Sequence, residues 1–142
     1  MRALLDVNVL IAALDGGHVH HARVRGWLGA EARGGWASSP LTQNGCVRIM
    51  SQPAYPSPLP TTHVIERLRA ATRHVSHSFW ADDVSLLDDT AVRGDRVLGP
   101  RQVTDVYLLA LAVKRGGRLV TLDGRIPLEA VPGAHAQHLL VL

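Results

Sequence analysis

Two rhythms of apolar residues alternate along the chain. One is the short compact run, as in Ala3-Leu4-Leu5 and Leu119-Val120, bounded by charge, serine or glycine. Runs of that kind suit buried strands. The other recurs every three or four positions. Asp105, Leu108, Leu109 and Ala112 fall at i, i+3, i+4 and i+7, one face of a helix.

Read in order, the pattern predicts a strand over Arg2–Asp6, then a short helix from Asn8 to about Leu14 that breaks at Asp15-Gly16-Gly17. A helix is expected over His18–Ala32, stopped by Gly34-Gly35, and a short strand at Trp36-Ala37. Ser38-Ser39-Pro40 starts another helix, with proline in its first turn, running to about Met50. The proline-rich stretch Pro53–Pro60 suits neither a helix nor an inner strand and reads as a rigid loop. A helix capped by Thr61 or Thr62 follows, to about Arg73, then a strand over His77–Trp80. After the loop Leu98-Gly-Pro100 come a helix over Thr104–Arg115, ended by Gly116-Gly117, and strands over Arg118–Leu122 and His138–Val141. Alternating strands and helices argue for a parallel sheet covered on both faces. The expected architecture is a single domain over residues 1–142: a three-layer α/β/α fold around a central, mostly parallel sheet.

Composition narrows the picture modestly. The chain has 142 residues, enough for a core without disulfide or metal staples, and 4% aromatics, so Ala, Leu and Val must build that core. No apolar run reaches 18 residues, and the N-terminus carries no basic-then-apolar leader, so the expectation is a cytoplasmic protein without a membrane span. A lone cysteine, Cys46, suits a reducing compartment and reads as a small core residue. The net charge of +3 comes almost wholly from arginine, Lys114 being the only lysine. Arginine grips phosphate in a bidentate fork, so a polyanionic partner is allowed though not required.

The chemistry gathers on three acids at element ends. Asp6 ends the first strand, Asp105 opens a long apolar helix, and Asp123 follows a strand. Ligands of open α/β sheets bind beyond the carboxyl ends of the strands. Each acid also has a plain structural reading: Asp105 as a first-turn acid behind an N-cap at Thr104, Asp123 as an Asp-Gly turn residue. Asp6 is harder to explain that way, because a carboxylate at the end of a central strand is costly unless paired or bound to a cation. Carboxylates held close repel, and a hard divalent cation such as Mg²⁺ or Mn²⁺ relieves them. Such an ion can activate water for phosphodiester hydrolysis.

Four segments carry a resemblance. Leu4-Leu-Asp6-Val-Asn8-Val-Leu-Ile-Ala-Ala, Ser39-Pro-Leu-Thr42-Gln43-Asn44-Gly45-Cys-Val-Arg48, Val103-Thr-Asp105-Val-Tyr-Leu-Leu-Ala-Leu-Ala112 and Leu119-Val-Thr-Leu-Asp123 resemble the four motifs of PIN-domain proteins. More narrowly, they are similar to VapC toxins of bacterial toxin–antitoxin systems. The resemblance implies a PIN fold, a homodimer and Mg²⁺- or Mn²⁺-dependent endoribonuclease activity. It also implies RNA as substrate, tRNA among the candidates, and a cognate VapB-type antitoxin as partner. By position it implies Asp6, Asp105 and Asp123 as metal-binding acids, with Asn8 in a second sphere; Thr104, beside Asp105, belongs to the same sphere.

Gln43 departs from the pattern, since members of this family usually carry Glu there. An amide keeps the shape, drops a negative charge and replaces one acceptor with a donor. Weaker metal binding and impaired cleavage are therefore expected. Of Arg23, Arg25, Arg48, Arg93, Arg96, Arg101 and Arg125, the pair nearest the acids in sequence, Arg101 and Arg125, are the chosen phosphate contacts. Two further readings compete: a non-catalytic PIN-like module that binds RNA or antitoxin, and a phosphotransferase using Asp6 as nucleophile. The histidines His18, His20 and His21 lack the partners of a zinc site. Trp27, Trp36 and Trp80 read as core or interface aromatics.

Overall fold

A computed structural model describes all residues, 1–142. Five short strands form one sheet: β1 (Ala3–Leu5), β2 (Trp36–Ser38), β3 (His77–Phe79), β4 (Arg118–Thr121) and β5 (Leu139–Val141). Their order is β3-β2-β1-β4-β5, and all four pairings are parallel. The helices are α1 (Val7–Leu14), α2 (His21–Ala30), α3 (Pro40–Met50), α4 (Thr61–Thr72) and α5 (Val103–Lys114).

The two-residue side-chain period of the strands sorts the core into two layers. Leu4, Ala37 and Leu119 face α5 and the loop residues Trp80, Val92 and Ile126. Ala3, Leu5 and Val120 face the other way, into α1, α2, α3 and α4. The sheet is therefore covered on both faces. β1 is apolar throughout, while β4 carries the apolar pair Leu119-Val120 between Arg118 and Thr121, as sheets buried on both sides favour. Trp27 and Trp80 are buried core aromatics, and Cys46 is sealed in the core with its thiol pushed up to about 12 by burial.

Several element ends differ from expectation, each for a local reason. Asp6 is not the last strand residue: it turns out of β1 and caps α1, which begins at Val7. The helix expected from His18 starts only at His21, because Asp15–His20 folds into successive turns, with His18 N–H on the Asp15 carbonyl. Ser38 extends β2 by one residue, its carbonyl accepting from Trp80 N–H at 2.9 Å. Thr104 does not cap α5. Pro100 starts a 3₁₀ turn, Pro100–Gln102, that runs straight into the helix and leaves Thr104 exposed in its first turn. The α3 start is as expected: Ser39 and Thr42 cap each other's backbone N–H groups, a device worth about 1 kcal/mol.

One glycine sets the approach of α3. A Cβ on Gly45 would lie 2.9 Å from a Val7 methyl carbon. Its absence lets α3 close on the first turn of α1, directly after Asp6.

Candidate active site

The chain steps outward from β1 to β2 and β3 on one side, then to β4 and β5 on the other. The crevice beyond the carboxyl ends of β1 and β4 is thus the topological switch point, where open α/β sheets bind ligands. Asp6 leaves β1 there, and Asp123 follows β4 there. Asp105 enters from the first turn of α5, its stripe partners Leu108, Leu109 and Ala112 fully buried beneath it.

The three carboxylates are not equivalent. Asp6 is 6% exposed. It accepts from Val7 N–H at 2.6 Å and from the Thr121 hydroxyl at 2.9 Å. Burial nevertheless holds its pKa above the ordinary carboxylate range, with Asp123 adding repulsion. Asp105 is half-buried and is pushed up to about 6, first by burial and then by the charges of Asp6 and Asp123. No donor or cation on the protein offsets it. Asp123 is the relaxed member. Arg125 donates to it from Nε at 3.2 Å and from its backbone N–H at 3.0 Å, lowering its pKa.

A cleft of about 300 Å³ joins Asp105 and Asp123 to Arg101 and Arg125, with Gly99 and Gln102 on its wall. Both arginines assigned to phosphate therefore share a cleft with two of the acids. No three acidic, histidine or cysteine side chains lie close enough together to hold a metal ion, so Asp6, Asp105 and Asp123 do not converge on one point, and Asp6 does not line the cleft. The donor chemistry still fits a hard dication. Every donor is oxygen, and no cation of the protein pairs with Asp105 or Asp6.

Other sequence candidates are placed less centrally. Asn8 is exposed in the first turn of α1, and Asp6 bonds Val7 and Thr121 rather than Asn8. Thr104 lines a separate shallow hollow with Leu41, Leu86 and Tyr107. Gln43 is half-buried, and its amide nitrogen donates to Ser38 Oγ at 3.0 Å. Lys114, which a phosphotransferase would want beside Asp6, instead pairs with Asp83 at 3.3 Å on the surface.

Two residues escaped the sequence reading. Thr121 ties two acids together, donating to Asp6 while accepting from Asp123 N–H at 3.0 Å. A hydroxyl directly after the apolar pair Leu119-Val120, two residues before an acid, was the available signal. Gln102 braces the cleft, accepting from Leu98 N–H at 3.0 Å and donating to the Arg125 carbonyl at 3.1 Å.

Comparison with known proteins bears on this arrangement. The PIN domain family model matches residues 3–132. The chain is 54% identical to ribonuclease VapC44 of Mycobacterium tuberculosis over 142 residues, covering 100% of both. The chain belongs to the PIN-domain family, in its VapC branch. It is also 44% identical to ribonuclease VapC39 of the same organism, covering 94% of this chain and 96% of that one. Two solved VapC structures share the fold at 12% identity. The VapBC2 complex of Rickettsia felis, bound to a promoter DNA fragment, gives a TM-score of 0.62, covering 100% of this chain and 98% of that one. Mycobacterium tuberculosis VapC20, a sarcin–ricin loop cleaving toxin, gives 0.60 over 87% of this chain and 91% of that one. The PIN-like three-layer α/β/α expectation thus holds for the VapC branch.

Proposed function

We propose that the chain is the endoribonuclease toxin of a VapBC-type toxin–antitoxin pair, dependent on Mg²⁺ or Mn²⁺ and weakened by Gln43. Asp105 carries the reading: a half-buried acid whose pKa rises to about 6 beside two other carboxylates, with nothing on the protein to neutralise it. A bound dication would be held by Asp6, Asp105 and Asp123, and would supply Lewis acidity toward water and phosphate oxygen. Thr121 holds Asp6 in place while Arg101 and Arg125 grip the phosphate at the cleft rim. The carbonyl oxygen of Gln43 can orient a water molecule by accepting its hydrogen, but an amide cannot keep the proton as a carboxylate can. RNA, including tRNA, is the substrate class. The partners are a second copy of the chain and a VapB-type antitoxin. The hollow of about 820 Å³ between α3 and α4, with Gln43 on its wall, is the surface from which a partner would reach the site.

The test is Mn²⁺-dependent cleavage of total tRNA by the chain and by Gln43→Glu. The expected result is cleavage by the Glu protein that exceeds the chain's own on the order of 10²–10⁴-fold. Equal cleavage by both would remove Gln43 as the weakening residue. Silence from both folded proteins would favour the second reading, a non-catalytic module that binds RNA or antitoxin. That reading draws on the neutral hydrogen-bonded amide at position 43.

A further inference from the structure

Ser38 is fully buried at the carboxyl end of β2 and shares a sheet face with His77 of β3. Its hydroxyl lies between side chains from two different elements. Gln43 Nε2 donates to it at 3.0 Å, and His77 Nε2 sits 2.8 Å away. The amide NH₂ of Gln43 can only donate, and the one Ser38 proton must go elsewhere. It goes to His77 Nε2, which then accepts. A neutral ring that accepts at Nε2 carries its proton on Nδ1. Donors and acceptors therefore run one way, from Gln43 through Ser38 to a neutral His77.

The surroundings of His77 agree with a neutral ring. Burial and the Arg2 guanidinium disfavour its cation, the Trp36 ring packs 4.5 Å away, and no carboxylate acts on it. The Gln43 amide oxygen is the end that the chain leaves free. We propose that Ser38 and His77 are positioning residues for side chain 43, holding its amide nitrogen toward β2 so that its oxygen is presented to water or a bound cation. This rests on position 43 belonging to the active site.

The identity of residue 43 then sets the direction of the whole relay. A carboxylate there accepts from the Ser38 hydroxyl, whose oxygen must in turn accept from His77 Nε2. The Thr72 backbone also favours the charged ring, so the Ser38 oxygen and Thr72 are together served best by the imidazolium. Glu at 43 and protonated His77 belong together, as do Gln and neutral His77.

The test is long-range ¹H–¹⁵N NMR of the histidine rings, with His77 assigned from a His77→Asn protein. In the chain as it stands, His77 is expected neutral with Nδ1–H at pH 7. In Gln43→Glu its titration midpoint is expected to rise by about one pH unit or more, one unit being a tenfold change in protonation. In Gln43→Met, which can still pack but not donate, the ring is expected to stay neutral. An unchanged His77 ring in Gln43→Glu overturns the relay, whatever the protein does to RNA. In the Gln43→Glu protein, Ser38→Ala and His77→Asn are expected to lower kcat about tenfold or more while leaving KM for RNA within about twofold. Undiminished kcat in both variants overturns the positioning role. A Gln43→Glu protein that shows the ring shift but cleaves no RNA upholds the relay and removes the ribonuclease reading instead.

Discussion

Asp105 and Asp15 each stand at a helix end, yet the chain treats them in opposite ways. Asp15 follows α1, accepts from the Tyr55 hydroxyl and from Gly17 N–H, and has its pKa lowered, chiefly by Tyr55. Asp105 opens α5 with no such partner, and burial together with two neighbouring acids lifts it to about 6. The first is a clasp: its charge is spent on holding the Pro53–Pro60 loop to the end of α1. The second is a charge kept in reserve, costly to the fold and available to a cation. Asp15, with its own donors and apart from the other acids, is structural; Asp105, pressed against Asp6 and Asp123 without a donor, is a candidate for function.

The contrast is broken most severely at the acids themselves. Asp105→Asn, made in the Gln43→Glu protein, is expected to remove cleavage on the order of 10²-fold or more in a Mn²⁺-dependent tRNA assay. The same change is expected to raise Tm at pH 7 by about 2–4 °C. That corresponds to about 1 kcal/mol, discounted for the solvent that still reaches the carboxyl. Loss of function with gain of stability is the signature of a site held at the expense of the fold. A lower Tm in Asp105→Asn would mean that this carboxylate is structural after all.

The fold was legible because β1 and the centre of β4 are short apolar runs and the α5 stripe has a helical period. Element ends were less so. Asp6 reads as a strand terminus in one dimension, but a side chain that can bond the next backbone N–H ends the strand early and starts α1. Thr104 looked like a cap because capping chemistry is local, whereas Pro100 had already begun the turn that feeds α5. The acids were found because each ends or opens an element. Thr121, Ser38 and His77 were not, since their roles depend on which strands become neighbours, nor was Gln102, whose partners Leu98 and Arg125 meet only when the loops before α5 and after β4 come together. Parallel pairing of β2 with β3 and of β1 with β4 brings residues 39 and 115 positions apart within hydrogen-bond distance.

A pH series sharpens the same comparison with a smaller effect. Asp105 has a folded pKa above its ordinary value of 3.8, so the folded state holds its proton more tightly than the unfolded chain. Its penalty is absent below about pH 4, grows as pH rises toward 6, and is complete above that. A dication relieves the penalty by displacing that proton. Mn²⁺ is therefore expected to bind about tenfold more weakly at pH 5 than at pH 7, measured by titration calorimetry with the unsubstituted chain. Its effect on Tm should shrink in parallel. Affinity that is flat across this range would detach Asp105 from the metal.

The smallest change is the most selective. Tyr55→Phe deletes the hydroxyl that Asp15 accepts and leaves the packing of the ring against the α1–α4 layer in place. A hydrogen bond to a partly exposed carboxylate is worth about 1 kcal/mol, so Tm should fall by about 2–4 °C. The sign with pH is opposite to that at Asp105. Asp15 has a lowered pKa, so the stability it contributes is present above about pH 4 and is lost as pH falls through its folded value. The Tm gap between the chain and Tyr55→Phe should accordingly be widest near neutrality and narrow in acid. Tyr55 touches none of the three acids, so in the Gln43→Glu protein the substitution should leave tRNA cleavage and Mn²⁺ affinity unchanged. If Tyr55→Phe instead altered metal binding, the loop would be coupled to the acids through α1, whose first residue follows Asp6 and whose last precedes Asp15. The clasp and the site would then be two ends of one device.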